Sequence, residues 1–201
     1  KGYLVFHQQF FVLKMVKSFG AEVCALPGMI HDSVRELHSI RALTGGAMLT
    51  AVSIVIHQFT TAFLSQLMRI SFTFLPIAVS GMLYGPVLTG SLGAMVDILR
   101  FFVRNNGEAY FIGFTISEFA VGFLYGIFLY RKQPTLPRVF LAKLAVTTVN
   151  SLILNPLWLS ILYGQSYTVL VAARLVKNAI MLPIETAMLY FVLRAVVRMR
   201  I

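Results

Sequence analysis

Apolar residues run through this sequence in long blocks, and the polar residues gather in short clusters between them. Six blocks stand out, at Ala42 to Phe63, Ile70 to Tyr84, Val87 to Val103, Phe111 to Tyr130, Val139 to Leu162 and Val169 to Val197. A straight helix needs roughly 20 apolar residues to cross a bilayer, so the shorter blocks imply tilt or broken helices. Between the blocks lies turn chemistry: Gly85-Pro86, Asn105-Asn106-Gly107, Gln133-Pro134-Thr135-Leu136-Pro137 and Gly164-Gln165-Ser166. The pattern predicts an all-α integral membrane protein, a six-transmembrane-helix bundle over residues 42–201.

The first 41 residues read differently. Residues 1–28 hold one apolar run, Tyr3 to Val16, ending in Lys14 and Lys17, which is short for a span. It fits a leader, an interfacial helix or cloning-derived sequence, with Met29 as a natural start, and no function is read from it. Residues 29–41 are charged, and Asp32-Ser33-Val34-Arg35-Glu36 offers a helix N-cap with charges in the first turn. A short amphipathic lead-in at the cytoplasmic surface is expected there.

Composition sharpens the membrane reading: 58% of residues are hydrophobic and 12% charged, and mean hydropathy is +0.82. The formal charge of +10 is in such a chain a topology signal before it is a nucleic-acid signal, and no nucleic-acid partner is expected. Arg35, Arg41, Arg131, Lys132, Arg138, Lys143, Arg194, Arg198 and Arg200 gather toward one side, which the positive-inside tendency makes cytoplasmic, with both termini there. Arg69, Arg100, Arg104, Arg174 and Lys177 fall toward the other side, against the tendency, so they need a second reason. The single cysteine, Cys24, permits no internal disulfide and no metal cluster. There is no GxxxxGK[ST], HExxH or GxSxG, and His57 stands alone, so neither enzyme chemistry nor a cofactor is expected.

Polar groups inside apolar segments are the candidate chemistry, because a charge at bilayer depth costs roughly 2.5 to 3.5 kcal/mol on insertion scales and usually faces a bundle interior. Asp97, Arg100 and Arg104 share one helix face, either as an Asp97–Arg100 ion pair with Arg104 snorkelling to headgroups or as part of a site. Arg174, Lys177, Asn178 and Glu185 share another, which favours a cavity lining, with Glu185 beside Pro183 placed to satisfy freed backbone or a neighbouring cation. Asn155 and Trp158 sit one turn apart around Pro156, which removes a backbone donor and frees a carbonyl near the amide. Trp158 is either an interfacial belt residue or a stacking platform. Gly113-Phe114-Thr115-Ile116-Ser117 opens the fourth block with small and hydroxyl residues, suited to capping or to meeting an acceptor. Ala47 and Ala51, four apart on the first block, allow close approach of another helix.

Taken in order, Phe72-Thr-Phe74-Leu75-Pro76, Gly81-Met-Leu-Tyr-Gly85-Pro86, Asp97, Gly113-Phe114-Thr115, Gly122-Phe-Leu-Tyr125-Gly126, Asn155-Pro-Leu-Trp158-Leu-Ser160 and Arg174-Leu-Val-Lys177-Asn178 through Glu185 resemble the folate-specific substrate-binding subunit of energy-coupling factor vitamin transporters. The resemblance covers Arg41 to Val197. It implies a six-helix subunit of a bacterial plasma membrane that captures a vitamin from outside and works with a transmembrane coupling subunit and two cytoplasmic ATPases, which would hold the missing nucleotide loop. It also implies that Ala47 and Ala51 contact the coupling subunit.

Folate suits these residues chemically. Its flat pterin matches aromatic faces and amide groups, and its two carboxylates match guanidinium and ammonium groups. The expected binding residues are Phe72, Asp97, Arg100, Arg104, Gly113, Phe114, Thr115, Asn155, Trp158, Arg174, Lys177 and Asn178, with Trp158 and Asn155 at the pterin and Arg174 and Lys177 at the tail. A subunit for thiamine or a pyrimidine, an intramembrane enzyme, and a scaffold whose charges only fix helix packing remain the alternatives.

Overall fold

The computed structural model describes residues 27–30, 32–34, 39–63, 72–103, 110–164 and 166–199. Five long helices and one shorter one account for most of them: α1 (Ile40–Phe63), α2 (Phe74–Tyr84), α3 (Pro86–Val103), α4 (Ile112–Leu129), α5 (Leu136–Tyr163) and α6 (Tyr167–Met199), α2 being the shorter. No strand occurs among the described residues. Five spans, Ile40–Phe59, Pro86–Val103, Ile112–Leu129, Leu136–Tyr163 and Lys177–Met199, are long and apolar enough to cross a membrane. α2 differs, because its 11 residues extend only about 16 Å, short of a hydrocarbon core of roughly 30 Å. The start expected at Ile70 falls outside the described residues.

The bundle runs up and down, and its upper end is defined here by the α1–α2, α3–α4 and α5–α6 connections. At the lower end Gly85 takes φ 85°, a conformation open to glycine, and Pro86 starts α3 where its missing N–H costs nothing. Ser33, within the expected lead-in, is docked against this break. Ser33 is fully buried; its Oγ donates to the Tyr84 carbonyl (3.1 Å) and accepts from the N–H groups of Val87 (3.1 Å) and Leu88 (3.4 Å), capping α3 from a distant segment. Asp32, expected as an N-cap, instead faces Arg131 at 3.7 Å across the α4–α5 turn. Arg35 and Glu36 lie outside the described residues.

α3 and α4 meet backbone to backbone. A Cβ on Gly122 would lie 2.4 Å from the Thr89 carbonyl oxygen, and one on Gly93 would lie 2.5 Å from that of Glu118. Small residues thus bring the two chains together as they do in membrane helix pairs, and this brings Glu118 up to Arg100. Around Tyr125, Leu129, Val139, Ala142, Leu189 and Leu193 the lower half of α2, α4, α5 and α6 forms a close apolar core. Many large apolar side chains point outward, among them Met48 (74% exposed), Phe102 (74%) and Phe191 (70%), as expected where lipid is the solvent.

α5 widens over Thr147–Leu154, where the Asn155 N–H bonds the Asn150 carbonyl five residues back. Pro156 follows at once and cannot donate to the Leu152 carbonyl. The freed carbonyl is taken by the Tyr167 hydroxyl at 3.0 Å, not by the Asn155 amide. The wide turn is a local unwinding of the kind that often marks functional sites, and it turns Thr147, Asn150 and Ser151 toward the bundle interior.

Candidate functional site

A cavity of about 220 Å³ lies between α2, α4, α5 and α6. Its upper wall carries Lys177, Asn178, Asn150 and Glu118, and its floor carries Lys143, Glu185, Tyr125 and Phe74. The walls are more polar than the apolar surroundings predict, a feature that marks substrate paths in membrane bundles.

The floor is set by a buried ion pair. Lys143 Nζ lies 2.9 Å from Glu185 Oε2, with side-chain exposures of 7% and 17%, and 3.7 Å from the centre of the Phe74 ring. Attraction to the ring face offsets part of the cost of burying the ammonium. Glu185 therefore meets a neighbouring cation, one of its two expected partners. Lys143, which the basic-residue count groups with one side of the membrane, lies seven residues into α5 and is buried inside the bundle. The Tyr125 hydroxyl and the Asn178 Nδ2 are buried at the same cavity without hydrogen-bond partners.

At the upper end a second polar cluster joins the cavity through Glu118. Arg100 Nη1 lies 3.7 Å from Glu118 Oε1, so the Asp97–Arg100 pair suggested by helix spacing is not formed. Asp97 Oδ2 instead accepts from the Thr115 hydroxyl at 2.7 Å. Because Thr115 has one proton and gives it to Asp97, the Tyr110 hydroxyl must donate to Thr115. Arg100 keeps Nε and Nη2 buried without acceptors. Those two nitrogens form one edge of the guanidinium fork, the edge that binds a carboxylate side-on.

Trp158 packs onto the start of α4. Its indole Nε1 donates to Ser117 Oγ (2.9 Å), which donates to the Gly113 carbonyl (3.0 Å). The indole meets Phe111 edge-on at 5.6 Å, and Phe111 meets Phe114 at 5.8 Å. Gly113 is buried there, and a Cβ on it would come within 2.7 Å of the indole. Neither Thr115 nor Ser117 caps α4; the N-cap is Phe111, without a side-chain bond. The indole N–H is thus directed into the bundle, as an interfacial belt residue's would not be.

Of the residues expected at a site, Lys177 and Asn178 line the cavity, and Asn155 reaches it indirectly, donating to Asn150 Oδ1 at 3.0 Å. Phe72 lies in the turn before α2, beside the lining residue Thr73. Asp97, Arg100, Gly113, Phe114, Thr115 and Trp158 form the neighbouring upper cluster. Arg174 is half-buried one turn above Lys177, and among the described residues neither has an acidic partner. Arg104 lies outside the described residues. Spacing alone did not single out Lys143, Tyr125 or Asn150; the polar run Thr147-Thr148-Val149-Asn150-Ser151 was the one available signal for the last. On α1, Ala47 and Ala51 are exposed while Gly46, Thr50 and Ser53 turn inward.

Comparison with known proteins shows the family. The model of the family described as "ECF transporter, substrate-specific component" matches residues 41–193. A "Folate transporter FolT" of Clostridium novyi is 43% identical over 144 residues, 70% of this chain and 83% of that one. Another, of Leuconostoc mesenteroides, is 28% identical over 153 residues, 73% of this chain and 81% of its own. A solved structure titled "Crystal structure of FolT bound with folic acid" superposes with a TM-score of 0.70 at 34% identity, covering 78% of this chain and 95% of that one. The chain belongs to the substrate-specific components of ECF transporters.

Proposed function

We propose that this chain is the folate-binding component of a bacterial ECF transporter, taking folate from outside at the upper end of the bundle. Support for folate comes from relatives named folate transporters and from a fold shared with a chain solved with folic acid. We place both termini at the cytoplasmic side of the plasma membrane and read the six helices of residues 42–201 as one membrane domain, with 29–41 as its docked lead-in. No nucleotide-binding loop occurs in the sequence; a transmembrane coupling subunit and two cytoplasmic ATPases would supply transport energy. The exposed Ala47–Ala51 face of α1 would meet the coupling subunit, since small residues permit close helix approach.

One observation supports the placement of the ligand: cationic groups at the upper end of the bundle lack acceptors among the described residues. Arg100 has a buried side-on edge without a partner, and Arg174, half-buried, and Lys177, exposed at the cavity, have no acidic partner among the described residues. The two carboxylates of the glutamate tail would fill those positions, with Arg104, which lies outside the described residues, as a further candidate cation. Asn155 would act by holding Asn150, while Trp158, Phe72 and Phe114 would supply aromatic wall, with Asp97, Thr115 and Gly113 fixing that wall's shape.

Binding calorimetry on the purified protein, with folate, thiamine and riboflavin in parallel, tests the reading. Saturable binding of folate alone is expected. Arg100→Lys keeps the charge but loses the fork, and Arg174→Ala removes a charge. Each should weaken folate about ten-fold, the equivalent of a charge-assisted bond of roughly 1.5 kcal/mol, and matter much less for a pteridine lacking the tail. Equal losses for both ligands would refute the tail site.

A further inference from the structure

Three residues of the cavity wall, Thr147, Asn150 and Ser151, sit on a stretch of α5 that does not satisfy its own backbone. Pro156 withholds the N–H that would bond the Leu152 carbonyl, and a carbonyl left open at bilayer depth is costly. Its partner comes from the next helix: the Tyr167 hydroxyl, at the first residue of α6, donates to it at 3.0 Å. Gly164, at φ 65°, ends α5 in the left-handed region, its N–H bonded to the Ser160 carbonyl at 3.0 Å. Tyr167 lies outside the cavity lining, yet the helix it anchors carries the lining residues Lys177 and Asn178. One hydrogen bond therefore ties two walls of the cavity together. Asn155 Nδ2, donating to Asn150 Oδ1 at 3.0 Å, steadies the amide on the α5 wall.

We infer that Tyr167 is a positioning residue for ligand binding: its hydroxyl latches α6 to the wide turn of α5 and so holds Asn150 at the separation from Lys177 that the ligand needs. The inference rests on the folate reading of the cavity. The Leu152 carbonyl has no N–H four residues on to fall back on, because that residue is Pro156. With the latch made, the wall of α5 moves with α6. With it broken, the wide turn samples other separations and only a fraction of molecules can bind. Apparent affinity falls by that fraction. Loss of one ordinary hydrogen bond lowers it about five-fold.

The test is calorimetry with folate on the full chain in detergent, beside denaturant unfolding without ligand. Tyr167→Phe removes one oxygen from an exposed ring, so it should fold as the native chain does and bind folate about five-fold more weakly. Tyr163→Phe, at the other end of the same connection, should bind folate as the native chain does. Adding Tyr167→Phe to Asn150→Ala should cost less than two-fold, because the side chain that the latch positions is already gone. A Tyr167→Phe variant that unfolds more easily yet binds folate within two-fold of native would overturn the inference and leave the bond a structural one. Equal losses in Tyr163→Phe and Tyr167→Phe would also overturn it, as would a five-fold loss that persists in the Asn150→Ala background. Failure of the native protein to bind folate at all would instead overturn the folate reading on which the latch stands.

Discussion

Replacing Lys143 by Met should destabilise the bundle by about 3 kcal/mol, while replacing Lys143 and Glu185 together should restore most of the loss. Lys143 Nζ lies 2.9 Å from Glu185 Oε2, and both side chains are largely buried. Removing one member of such a pair typically costs about 3 to 5 kcal/mol, because a charge is left buried without a partner. The lower end of that range applies here, since Glu185 faces a cavity that also holds Lys177, an exposed cation that can lean toward it. Loss of the ammonium 3.7 Å above the Phe74 ring adds about 0.5 kcal/mol or more. In Lys143→Met/Glu185→Leu neither charge remains, and similarly sized apolar groups commonly replace a buried pair at little cost. The double variant should therefore lie within about 1 kcal/mol of native, giving a coupling of at least about 2 kcal/mol between the sites. Denaturant unfolding in detergent without ligand, followed by intrinsic fluorescence, measures all four corners of the cycle. Additive losses, or a single-variant loss below about 1 kcal/mol, would refute the claim that this pair is desolvated.

Trp158→Ala should weaken folate binding several-fold, since aromatic contacts contribute roughly 0.5 to 1.5 kcal/mol beyond area burial; unchanged affinity by calorimetry would leave the indole as packing for Phe111 and Gly113 only. Ala47→Leu with Ala51→Leu should abolish folate uptake by the assembled transporter in proteoliposomes while leaving calorimetric binding by the isolated chain intact, because both residues are exposed on α1; normal uptake with normal assembly would move the partner face elsewhere.

The helices were legible because lipid imposes one rule on the whole chain: backbone groups must bond internally, so a long apolar block becomes a helix. Turn residues such as Gly85-Pro86 and Gly164 then set its ends within a few positions. The site was legible only as far as one helix reaches. Spacing put Asp97 and Arg100 on one face, but a face has two kinds of neighbour, its own next turn and the helix across from it. The choice went to Glu118, because Gly93 and Gly122 let α3 and α4 approach until that carboxylate came within reach; the cause lies in small residues that carry no charge themselves. Lys143 was hidden by a counting rule, since a basic residue near a span end scores as a topology marker whatever its depth, and only Glu185 on another helix makes its depth affordable.

These pairings also refine the charge argument. Sequence counting places Arg69, Arg100, Arg104, Arg174 and Lys177 toward the upper side without saying which are spare. With Arg100 facing Glu118 and Lys143 held by Glu185, the cations without an acidic partner among the described residues include Arg174 and Lys177, both on α6 and one turn apart. The neutral pair lies below them and these two positive groups lie above. On the proposed folate reading, a ligand with an uncharged flat head and a dianionic tail would favour one orientation, head toward Tyr125 and tail toward Lys177 and Arg174, because the reverse would bury two carboxylates beside Glu185 and leave both upper cations unmatched.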